Sequence, residues 1–189
     1  ILHWSTALAN PPARTSAAED AENEETLTGY RSTLHGRRPT LEFHSTKPAE
    51  MEAAVARIRD WIDSGVAPQD VAIAVRFIQL GRDAEAALRR AGVPTAVMDR
   101  ADDEPGVRIF TMHRMKGLEF RCVAVLGVAE GIVPMRAAIT PAEVDPLQHR
   151  EDLASELSLL FVACTRAREE LHVSCHGLPS RFLERVDHP

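Results

Sequence analysis

Two short stretches of this chain gather the side chains that could do chemistry. The first, Leu157 to Leu171, reads LSLLFVACTRAREEL and sets Arg166 and Arg168 just past an apolar stripe. Leu153, Leu157, Leu160, Phe161 and Cys164 recur at helical steps, so that face is expected to be buried, with both arginines where the helix reaches the surface. A planar guanidinium held by a rigid element can neutralise phosphoryl charge as it develops. Solvated helix-end charges favoured by the helix dipole are the plainer alternative. The second stretch, Val107 to Val125, reads VRIFTMHRMKGLEFRCVAV. It suggests a short strand, a polar crossing with His113, Lys116, Gly117 and Glu119, and another strand rich in Val and Ala. Polar groups between two buried strands suggest a site. In open α/β sheets ligands lie outside the carboxyl ends of the strands, where Thr111 and His113 fall if Val107 to Phe110 is a strand. Gly117 supplies backbone freedom at the turn. The Lys116-Gly117 order inverts a GxxxxGK[ST] phosphate loop, and no such loop occurs in the 189 residues, so this chain is not expected to cradle phosphates alone.

The elements that must position these residues follow from periodicity. Met51, Val55, Ile58 and Ile62 mark an amphipathic helix closed by Gly65, and Ala84, Leu88 and Ala91 mark another closed by Gly92. Strands are expected at Leu41–His44, Val71–Val75, Thr95–Met98, Cys122–Leu126 and His172–Cys175. Strands alternating with helices mean right-handed crossovers and a mostly parallel sheet, hence one α/β domain. Asn10 to Thr28, polar, acidic and Pro-bearing, reads as a flexible connection after a first helix, ILHWSTALAN. Ala137 to Gln148, rich in Ala and Pro, reads as a surface loop.

Composition narrows the function classes. A mass of 20.8 kDa is one domain's length, and 44% hydrophobic residues can fill a sizeable core. A net charge of −6 argues against a broad nucleic-acid-coating surface while permitting a narrow track. No signal peptide, lipidation motif or long apolar run is seen, so a cytoplasmic setting and no membrane role are expected. Cys122, Cys164 and Cys175 sit in apolar contexts without metal-ligand spacing and read as buried reduced thiols. The eight histidines are scattered, and no metal site is expected.

TMHRMKGLEF resembles motif V, and LLFVACTRAREEL motif VI, of the superfamily 1 DNA helicases of the UvrD/Rep type. They stand in the family's order with the EGIVP turn, Glu130 to Pro134, between them. The resemblance is strongest from Val107 to Gly177 and extends more weakly back to Ile1. It implies an α/β, RecA-like three-layer domain with a mostly parallel sheet flanked by helices. On that resemblance, residues 1–28 form the N-terminal helix and acidic connection, and residues 29–189 form the second RecA-like motor domain of an ATP-dependent DNA helicase or translocase. The alternative is a catalytically inactive helicase-like module that binds nucleic acid or protein.

The resemblance also implies roles. Arg166 matches the motif VI arginine that reaches the γ-phosphate of ATP, an arginine finger. Glu119 matches the motif V glutamate that contacts the ribose, and Gly117 the glycine that lets backbone approach the nucleotide. Thr111 and His113 match positions that face single-stranded DNA; Lys116 is matched as a DNA contact or as support for the loop. ATP and magnesium would be held mainly by the first RecA-like domain, whose Walker segments have no counterpart here, so the chain alone is expected to be inactive. Leu157 and Ser158 stand where relatives commonly carry arginines, and Arg114 and Met115 are bulkier than usual. Tyr30, Arg31 and Ser32 imitate motif IV, but Ile1 and Leu2 open the helix that follows it in the family. The true motif IV is therefore expected upstream of residue 1, in keeping with an excised or cleaved fragment that starts with Ile. The family's large accessory subdomain is expected to be absent or removed.

Overall fold

The computed structural model describes residues 38–96, 98 and 105–183. The expected first helix, the acidic connection and Tyr30–Ser32 lie outside the described residues. Strand β2, Val71–Val75, shows why the chain makes layers. Its side chains are all buried, with Val71, Ile73 and Val75 in one apolar cluster and Ala72 and Ala74 in the other. A strand buried on both faces reads as one continuous apolar run. The sheet order is β1 (Thr40–His44), β5 (Ala167–His176), β4 (Phe120–Val125), β2, β3 (Arg108–Thr111), and every pairing is parallel.

Helices α1 (Lys47–Asp63) and α2 (Ile78–Arg90) cover one face, while α3 (Pro146–Cys164) and a 3₁₀ turn at Met112–Met115 cover the other. This is the three-layer α/β arrangement that the resemblance implies. Thr46 caps α1 by accepting the Ala49 N–H at 3.3 Å. Asp145 caps α3 by accepting from Leu147 N and Gln148 N at 2.9 and 3.0 Å, with Pro146 in the first turn.

Four expectations need correction. The Ala137–Gln148 loop is shorter than expected, because α3 begins at Pro146 and Arg136–Ala138 makes a 3₁₀ turn. The Thr95–Met98 strand is reduced to one bridge, Thr95 opposite Val107. Strand β5 starts at Ala167, well before His172, so Arg168 is an exposed strand residue and no helix-end charge. The α3 stripe is also less apolar than expected. Leu160, Ala163 and Cys164 are buried together with Glu156, while Leu153, Leu157 and Phe161 are half-buried. The three cysteines are free and buried, and burial raises the Cys122 thiol to about 12 and the Cys175 thiol to about 11.

The face of β5 opposite Leu171 and Val173 is polar and carries His172, Ser174 and His176. His172 is fully buried, with Nδ1 2.9 Å from Thr40 Oγ1, and burial pulls its pKa down to about 4. An unfolded chain takes up this proton near 6.5, whereas the folded one resists until about 4. The stability that neutral His172 contributes is therefore complete above pH 6.5 and is lost as pH falls from there towards 4, by roughly 3 kcal/mol in all. Urea unfolding at stepped pH should show this fall, and His172→Gln, which cannot be protonated there, should flatten it. An equally steep fall in that variant would place the acid sensitivity elsewhere.

Candidate functional site

Parallel strands oblige each connection to return from the carboxyl edge of the sheet to the amino edge. Residues 112–119 make that return between β3 and β4. Met112 and Met115 are fully buried beside Leu160 of α3 in the apolar cluster, whereas His113, Arg114, Lys116, Gly117 and Glu119 are exposed. The crossing is thus pinned by its methionines and shows its polar side outward.

This geometry separates the expected site residues into two groups. Thr111, 8% exposed, ends β3 at the carboxyl edge, in register with Val75, and His113 follows it. Gly117 and Glu119 lie at the other edge, immediately before Phe120 opens β4. Thr111 and His113 thus lie outside the carboxyl ends, where they were expected, while Gly117 and Glu119 lie at the opposite edge. Lys116 lies between the groups, at the end of the 3₁₀ turn.

Arg166 joins the amino-edge group. It sits in the turn between α3 and β5, half-buried, and its backbone carbonyl accepts the Phe120 N–H at 3.0 Å. Its Nε donates to the Val162 carbonyl at 3.1 Å, Nη1 to the Leu118 carbonyl at 3.5 Å and Nη2 to Thr165 Oγ1 at 3.1 Å. Leu118 stands between Gly117 and Glu119, so the guanidinium lies against that corner. All three acceptors are neutral, and among the described residues Arg166 pairs with no carboxylate. Its charge is held in a fixed plane and left available to an anion. Gly117 has φ +80°, and a Cβ added there would meet nothing within 4 Å, so glycine serves the backbone conformation and the space outside it is open. The corner can thus receive an anion approaching from outside. Among the described residues no group of three or more His, Cys, Asp or Glu side chains could hold a metal ion.

The carboxyl edge is built around two buried carboxylates that sequence reasoning missed. Arg76, immediately after β2, donates to Glu156 through Nε at 2.9 and 3.2 Å and through Nη2 at 2.6 Å. Glu156 also accepts the Met135 N–H at 2.8 Å. On the opposite face Glu50 of α1, fully buried, accepts the Gly127 N–H at 2.8 Å and the Ser174 hydroxyl at 2.6 Å, and closely contacts His176 Nδ1. The two carboxylates therefore clamp the two ends of the loop that leaves β4. Gly127 is required there twice over, by φ +71° and by Leu80, whose Cδ2 would lie 2.5 Å from an added Cβ. Further along the loop, the Glu130 N–H donates to the Leu178 carbonyl, and Arg181 pairs with the Glu130 carboxylate. The one available signal for Glu156 was its phase, three after Leu153 and four before Leu160.

Residues 98–177 match the family profile of the UvrD-like helicase C-terminal domain. Over 73 residues the chain is 42% identical to YjcD of Bacillus subtilis, a match covering 39% of this chain and 9% of that protein. Over 102 residues it is 34% identical to the ATP-dependent DNA helicase PcrA of Staphylococcus aureus, covering 48% of this chain and 13% of the helicase. The matched part is thus a small fraction of these relatives' length. The fold is similar to that of the C-terminal domain of a possible DNA helicase from Lactobacillus plantarum. The TM-score is 0.62 at 22% identity, with 81% of this chain and 83% of that one covered.

Proposed function

We propose, proceeding from the match of residues 98–177 to the UvrD-like helicase C-terminal domain, that residues 29–189 are the second RecA-like motor domain of an ATP-dependent DNA helicase or translocase. A first RecA-like domain of the same protein would hold most of the ATP and its magnesium. Arg166 acts as the arginine finger, Glu119 contacts the ribose and Gly117 lets the backbone approach. Thr111, His113 and Lys116 form part of the single-strand track. A cytoplasmic setting goes with this assignment, and no helix among the described residues is long and apolar enough to cross a membrane.

The observation that carries this reading is the placement of Arg166 against the Gly117–Glu119 corner through the Leu118 carbonyl, without a carboxylate to cancel its charge. A finger needs that combination of fixed geometry and unspent charge. The separation of Thr111 and His113 to the other edge supports two faces, one for nucleotide and one for DNA.

The experiment compares this chain alone with a protein in which it is joined to its first motor domain. The chain alone is expected to hydrolyse no ATP above background and, at net charge −6, to bind single-stranded DNA weakly. The joined protein is expected to show hydrolysis stimulated by single-stranded DNA. There His113→Ala should weaken half-saturation by DNA about fivefold or more, with DNA-independent hydrolysis little changed. Turnover by the chain alone that is abolished by Arg166→Ala would overturn the two-half assignment. A normal DNA response in a thermally weakened His113→Ala protein would make His113 a structural residue.

A further inference from the structure

Helix α3 reaches both faces of the proposed motor, and the inference drawn here rests on that two-face assignment. Its carboxyl-terminal end delivers Arg166 to the amino edge of the sheet. Glu156, eight residues before Cys164 and about 12 Å along the helix, lies at the carboxyl edge. There its carboxylate holds two other parts of the molecule. One is Arg76, the first residue after β2, whose neighbour Val75 stands opposite Thr111 in the parallel register. The other is the Met135 N–H, at the end of the loop that leaves β4.

We infer that Glu156 and Arg76 are positioning residues that couple occupancy of the single-strand face to the placement of Arg166. The pair is fit for this by its geometry. Side-chain exposure is 4% for Glu156 and 10% for Arg76, and three N–H to oxygen contacts between 2.6 and 3.2 Å fix the mutual orientation of their planes. A displacement of the β2 end or of the adjacent Thr111 is thereby transmitted to α3 as a rotation or shift of a rigid rod, with Arg166 just beyond its far end. Stability alone does not demand such a pair, because well-packed apolar residues of similar volume often replace a buried ion pair at no cost. Apolar contact lacks the directional grip, however, so filling and coupling can be separated.

The test uses the protein with both motor domains and reads three quantities: ATP turnover without DNA, its stimulation by a thymidine oligonucleotide, and the thermal unfolding midpoint. The double variant Arg76→Met with Glu156→Leu is expected to melt close to the parent and to keep DNA-independent turnover within about twofold. Its stimulation by the oligonucleotide should fall about tenfold or more, as expected for a lost coupling energy. Full stimulation in a folded double variant would overturn the inference. Should the double variant not fold, Glu156→Gln decides, since it retains an acceptor oxygen while removing the charge. Reduced stimulation with unchanged melting and basal turnover supports the joint, and parental stimulation removes it. A parent that shows no stimulation at all would instead overturn the two-face assignment and the joint with it, an outcome distinct from stimulation that survives in the variants.

Discussion

Replacing Arg166 by alanine in a protein that carries both motor domains is expected to lower kcat for ATP hydrolysis by about 10³–10⁵-fold, the span of arginine fingers, with a much smaller change in nucleotide affinity. The proposed contact strengthens as charge develops on the transferring phosphoryl group, so its loss falls on the transition state. Arg166→Lys should not rescue activity. The guanidinium is placed by three bonds that diverge from Nε, Nη1 and Nη2 towards Val162, Leu118 and Thr165, and a single ammonium cannot span them. Glu119→Ala should differ in kind, raising KM for ATP more than it lowers kcat, because a ribose contact is made equally in ground and transition states. Steady-state kinetics on the three variants separate these patterns. A near-normal kcat for Arg166→Ala would reduce the arginine to a tie between α3 and the Leu118 carbonyl.

Substitution of Glu50 by alanine is expected to give the largest loss of stability, about 3–5 kcal/mol. The carboxylate is fully buried and serves the Gly127 N–H, the Ser174 hydroxyl and His176 Nδ1 together. Its removal leaves a buried backbone donor and a buried hydroxyl without their acceptor, each of which costs more to strand than the original bond contributed. It also opens a void between α1 and the sheet. Urea unfolding of the 189-residue chain measures the loss directly. A loss below about 1 kcal/mol would mean that water substitutes for the carboxylate and that the loop is held by other contacts.

Much of this architecture is legible in the residues. Val71–Val75 announces a strand buried on both faces, and motifs V and VI announce themselves by order and content. Where reading failed, tertiary context overrode local preference. Ala167 to Leu171, AREEL, is made of good helix formers, yet it is strand, because Phe120 and Cys122 of β4 pair with Ala167 and Glu170. Asp145-Pro146, a cap followed by a first-turn proline, marked the start of α3 but was hidden within an Ala- and Pro-rich stretch. Glu156 was passed over because nothing local reveals a partner eighty residues away at Arg76. The division of Thr111 and His113 from Gly117, Glu119 and Arg166 was legible only through the separate roles that the resemblance implies. Periodicity alone does not show that the crossing between parallel strands spans the whole sheet.

That crossing also bears on which changes of length the chain can absorb. Residues 112–119 hold a 3₁₀ turn at Met112–Met115 and a second turn in which the Leu118 N–H returns to the Met115 carbonyl at 3.1 Å, so little extended chain remains to make the return. The six residues of β4 are themselves roughly 20 Å long. The connection is therefore taut. A deletion within it would drag β3 or β4 out of register, and an insertion would release Met112 and Met115 from beneath α3. The exposed stretch 141–144, with Val144 74% exposed, is by contrast where added residues are expected to be tolerated, so a label or a fused domain belongs there.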